Sequence, residues 1–73
     1  MMSKYDQIVG KLAYRTKNGK YDGLVGTIEK DPLPLFSPLI LRFENKKGIR
    51  CRPENLILVD VNGKDLGKAI NCL

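Results

Sequence analysis

The stretch that decides the fold reads Leu39-Ile40-Leu41-Arg42-Phe43-Glu44-Asn45-Lys46-Lys47-Gly48-Ile49-Arg50-Cys51-Arg52. Apolar residues sit at every second position on either side of a polar break, the pattern of two half-buried strands joined as a hairpin. Residues 39–44 and 49–52 are read as strands, with 45–48 between them. Leu39, Leu41, Phe43, Ile49 and Cys51 form the inward set. Directly paired residues share a face, and this predicts Phe43 opposite Ile49 and Leu41 opposite Cys51. That register places Arg42 directly opposite Arg50 on the outer face, with Arg52 next along and Lys46 and Lys47 at the tip. Like charges set opposite one another destabilise by roughly 0.2–1 kcal/mol. Either a bound anion offsets that repulsion, or the long side chains splay apart with Glu44 and Glu54 neutralising them.

Working outward, the alternation continues on both sides. Residues 1–6 read as a frayed or extended lead-in, and Ile8, Gly10, Leu12 and Tyr14 alternate with Val9, Lys11, Ala13 and Arg15 as a first strand. Asn18-Gly19 signals a turn over residues 16–20, since both residues tolerate positive φ. A second strand covers 23–30, and its internal glycines point to a bulge, a bend or a close backbone approach. Pro32, Pro34 and Pro38 bar 31–38 from any central strand, because none donates to a ladder. Leu33, Leu35 and Phe36 in that loop either cap an open end of the core or form a protein-contact surface. Pro53-Glu54-Asn55 reads as a tight or 3₁₀ turn, residues 56–61 as the last strand, and Asn62-Gly63 as another turn. The tail is read as irregular or a short helix over 65–71, against which Gly67 weighs. The expectation is an all-β, five-stranded barrel as one domain over residues 1–61, followed by a tail over 62–73.

Composition narrows the function. Thirteen Lys and Arg against eight Asp and Glu give a net charge of +5 in 73 residues. This suits a nucleic-acid module, whose affinity draws on phosphate neutralisation, and equally a surface that is merely well solvated. The chain contains no His, which removes the commonest general base and most zinc sites. Gly19, Gly23 and Gly26 lack the spacing of a phosphate-binding or dinucleotide fingerprint. No enzyme activity, cofactor or metal is expected. Cys51 and Cys72 are too few for a disulfide scaffold and are read as reduced thiols. The first thirty residues show no secretory signal pattern and no run spans a bilayer, so a cytoplasmic, non-membrane location is expected.

Lys11 to Arg15, followed by Tyr21, Gly23, Gly26, Thr27 and Ile28, resembles the KOW motif of ribosomal and transcription-elongation proteins. More widely, residues 8–60, with Pro53-Glu54-Asn55-Leu56 leading into the last strand, are similar to Src-homology-3-like barrels. The same layout is similar to the small barrel accessory subunits of photosynthetic electron-transfer complexes. The resemblance implies an accessory binding role. The first candidate is nucleic acid, or a nucleoprotein complex, engaged through Arg42, Lys46, Lys47, Arg50 and Arg52, with Arg15, Lys17 and Lys20 as a second patch. The alternative is a protein–protein adaptor or small subunit docking through Leu33, Leu35 and Phe36 onto an acidic surface, or onto a second copy.

Overall fold

Alternation becomes a ladder through the middle of the chain. The computed structural model describes residues 4–16, 23–31 and 39–73. Six strands, β1 (Leu12–Arg15), β2 (Val25–Lys30), β3 (Leu39–Arg42), β4 (Gly48–Cys51), β5 (Leu56–Val59) and β6 (Asp65–Lys68), form one sheet in the order β4-β3-β2-β1-β5-β6. Every pairing is antiparallel. The protein is all-β, as read from the sequence, but among the described residues the sheet has six strands rather than five and does not close: β4 and β6 are its edges.

One face of this sheet carries the core. Ala13, Ile28, Leu39, Leu41, Phe43, Cys51, Leu56 and Leu58 cluster there, joined by Ile8 and Ala69 from outside the strands. Ala13 lies between Gly26 on β2 and Leu58 on β5. Gly26 is the close backbone approach that its position in a strand suggested. A Cβ there would stand 2.7 Å from the Arg42 carbonyl oxygen and 3.0 Å from Leu41 Cγ.

The two ends of the chain differ from the sequence reading. Lys4–Gln7 is a 3₁₀ turn, not an extended lead-in. The chain then turns through Ile8 and Gly10, where φ is +89°, so the strand begins only at Leu12. The Gly10 amide donates to the Ile28 carbonyl at 2.8 Å, and the Ile28 amide donates to that of Lys11 at 2.9 Å. Together they fasten the entry to β2 and leave Ile8 fully buried. At the other end, Asp65–Lys68 is a strand on β5 rather than the start of a helix over 65–71. Gly67 has φ +108°, which no right-handed helix accommodates, and the ladder slips beside it, between Leu58 and Val59. The Asn62-Gly63 turn forms as expected. Asp60 Oδ1 accepts from the amides of Asn62 and Lys64 at 2.8 and 2.9 Å, and Gly63 takes φ +82°. Ala69–Cys72 closes the chain as a 3₁₀ turn that buries Ala69.

A Gly26→Ala variant meets backbone that cannot move aside and is expected to lose about 1–3 kcal/mol, measured as a lower urea midpoint. The nearest atoms that Gly48→Ala meets belong to the side chains of Arg42 and Ile40 rather than to backbone, and it is expected to lose clearly less in the same experiment.

Candidate nucleic-acid interface

The β3–β4 connection fixes where the basic side chains go. The Phe43 amide donates to the Lys47 carbonyl at 2.9 Å, and the Lys46 amide donates to the Phe43 carbonyl at 3.0 Å. Lys46 sits at φ +68°, and Asn45 Oδ1 accepts from the Lys47 amide at 3.0 Å. This is a three-residue hairpin loop, a type I turn followed by one left-handed residue. It is shorter than the loop read from the sequence, and the register moves by two residues: Arg42 pairs with Gly48, and Arg50 with Ile40. The expected facing of Arg42 and Arg50, of Phe43 and Ile49, and of Leu41 and Cys51 is therefore replaced. The slip is even, so no side chain changes face. Arg42 and Arg50 still share the outer surface while Leu41 and Cys51 point inward.

The new register removes the like-charge opposition. Arg42 now lies across Gly48, where a Cβ would come within 2.9 Å of its Nη1. Acids on the β2 side neutralise the arginines, in place of Glu44 and Glu54. Arg42 donates through Nε and Nη2 to Glu29 Oε1, both at 3.2 Å, and through Nη1 to the Lys46 carbonyl at 3.0 Å. Arg50 donates through Nε to Asp31 Oδ2 at 3.1 Å. The Asp31 side chain is 2% exposed and that of Arg50 is 56% exposed.

Of the remaining candidates, Lys46, Lys47 and Arg52 are exposed, the lysines in the hairpin loop and Arg52 in extended backbone just past β4. Arg15 joins this group. Together with Ile40, Arg42, Gly48, Ile49 and Arg50 it lines a shallow recess. Its guanidinium also stands beside Cys51. Burial pushes the Cys51 thiol above its ordinary pKa, and Arg15 partly opposes that. Lys17, Lys20, Leu33, Leu35 and Phe36 lie outside the described residues, as do the turn and the proline loop that contain them.

A second surface escaped the sequence reading. Leu12, Leu58, Val59, Val61, Leu66 and Cys72 line an apolar groove beside β6, with Val61 88% and Leu66 58% exposed. It follows from β6 being a strand, and the tail's lack of apolar alternation hid that. Tyr14 Oη donates to Asp65 Oδ2 at 2.9 Å, tying β1 to β6. This bond raises the Tyr14 pKa, with desolvation and the Asp65 charge adding to it.

Among the described residues there is no cluster of three or more His, Cys, Asp or Glu able to hold a metal, and no helix long and apolar enough to cross a membrane. The chain matches no protein-family model, no curated protein and no solved structure.

Cys72 is exposed and Cys51 buried, and neither is in a disulfide. Under native conditions Cys72 is expected to react with a thiol reagent at the rate of a free peptide, and Cys51 only as fast as the fold opens, as followed by mass spectrometry. The raised Cys51 pKa contributes stability that is complete below the ordinary thiol value and disappears as pH rises through the folded-state value. Cys51→Ala should therefore flatten the alkaline fall in melting temperature.

Proposed function

We propose that this chain is a non-enzymatic binding module that engages nucleic acid, or a nucleoprotein complex, through the outer face of the β3–β4 hairpin. The observation that carries this reading is a row of cations along one sheet edge. Arg52, Arg50 and the Arg42 guanidinium lying over Gly48 follow one another at two-residue steps, about 6.7 Å apart in an extended strand. Lys46 and Lys47 continue the row around the hairpin tip. A polyanion offers charges at repeated intervals along such a row, whereas a lone carboxylate meets one of them. The order of elements supports an arrangement of the Src-homology-3-like kind: a β1–β4 meander, a 3₁₀ turn at Pro53–Asn55, and β5 returning to β1. Two free thiols fit a reducing, cytoplasmic setting.

The second reading, a protein–protein adaptor or accessory subunit, draws on the apolar groove beside β6. It also draws on Leu33, Leu35 and Phe36, whose apolar character is a property of the sequence.

A short mixed-sequence RNA or DNA is expected to bind with an affinity that falls steeply between two salt concentrations. Lys46→Asn with Lys47→Gln leaves both arginine ion pairs in place. It should weaken binding and lower the salt slope by about two, while Leu66→Ser leaves binding unchanged. No binding at low salt would remove the first reading. Loss of a partner's binding with Leu66→Ser and not with the lysine pair would favour the second.

A further inference from the structure

The two paired arginines are not equivalent. Arg42 commits Nε, Nη1 and Nη2 to Glu29 and the Lys46 carbonyl. It bridges β2, β3 and the hairpin loop, the position of a brace. Arg50 commits only Nε, to Asp31 Oδ2. Among the described residues its two η-nitrogens have no partner, and they project from a side chain that is 56% exposed. Behind it, Asp31 is almost wholly enclosed, at 2% exposure of the side chain. A buried carboxylate that holds one edge of a guanidinium fixes the plane and direction of the other edge. That other edge is the two-donor fork that matches two oxygens of a phosphate. Arg50 also occupies the middle of the cation row, between Arg52 and the Arg42 guanidinium.

We infer that Arg50, aimed by Asp31, is the side chain that grips a backbone phosphate of bound nucleic acid, that Asp31 is a positioning residue, and that Arg42 lends charge to the row while bracing the hairpin. This inference rests on the proposed nucleic-acid reading and names the residue on which its specificity for phosphate depends. A purely electrostatic surface makes the opposite forecast at Asp31, where removing a negative charge should tighten binding.

Fluorescence anisotropy with a short labelled single-stranded RNA of mixed sequence separates the two. Arg50→Lys keeps the charge but cannot keep both the Asp31 bond and the fork, and is expected to weaken binding by about tenfold. Arg42→Lys keeps the charge of the row and is expected to weaken binding clearly less than Arg50→Lys does. Asp31→Asn is expected to weaken binding by about threefold, although it makes the protein more positive. Undiminished affinity in Arg50→Lys, or tighter binding in Asp31→Asn, overturns the inference while leaving nucleic-acid binding standing. A poly-glutamate peptide that binds more tightly than the RNA overturns the assignment to phosphate. If a variant fails to melt cooperatively, the wild-type Arg50 Nε–H resonance is followed during RNA titration. If the wild type binds no RNA, the functional reading falls, and inorganic phosphate is titrated against the same resonance. A saturating shift then supports the phosphate grip alone, and an unmoved resonance overturns it.

Discussion

The register of the β3–β4 hairpin is the constraint from which the proposed site follows. Three residues, Glu44, Asn45 and Lys46, make the turn, with Lys46 in the left-handed region and Asn45 securing the Lys47 amide. From that turn outward each cross-strand pair is determined: Arg42 with Gly48, Leu41 with Ile49, Ile40 with Arg50, Leu39 with Cys51. The inner members pack into the core, so a slip by one residue would turn the apolar set to solvent. A slip by two would keep every face and return two guanidinium groups to direct opposition. Burial alone does not choose between the even registers. The tight loop, and the room that Gly48 leaves for Arg42, make that choice.

Once the register is set, the charges on this face arrange themselves around β2. Glu29 pairs across the ladder with Ile40 and reaches Arg42 diagonally, and Asp31 lies one residue beyond the end of the same strand and holds Arg50. These pairs differ in kind. The Arg42 and Glu29 side chains are 39% and 44% exposed, and a pair this open to solvent contributes little to stability. Asp31 is buried, so the loss of Arg50 would leave an enclosed carboxylate short of a partner and destabilise by about 1–3 kcal/mol. One acid thus steadies a half-buried brace, while the other ties an exposed cation to the interior. The face is basic overall but internally compensated, and among the described residues its outward charge lies on the exposed Lys46 and Lys47 and on the open edge of Arg50.

The centre of the fold was legible in the sequence because period-two alternation is a direct imprint of burial. Ile28, Leu39, Leu41, Phe43, Cys51, Leu56 and Leu58 are read as strand residues and lie in the core. Gly26 was legible as a close approach, and Asn62-Gly63 as a turn, because each breaks a pattern for a steric reason. The hairpin faces were legible and the register was not, since loop length is a matter of backbone conformation at Lys46 that residue type barely signals. The termini were hidden for a different reason. β6 is exposed at every position and so carries no alternation to read, while Ile8 is buried by a turn rather than by a strand. The ion pairs to Glu29 and Asp31 were missed because they join residues distant in sequence, and only the β2–β3–β4 order brings them together.

The most direct test is a cross-strand nuclear Overhauser measurement on the free protein. In an antiparallel ladder the α-protons of non-hydrogen-bonded partners come into close contact. The bond from the Phe43 amide to the Lys47 carbonyl makes that pair a hydrogen-bonded one, so the adjacent pair and every second pair beyond it are such partners. The account predicts α-proton contacts from Arg50 to Ile40 and from Gly48 to Arg42. A contact from Arg50 to Arg42 would restore the opposed arginines, remove the cation row, and contradict it.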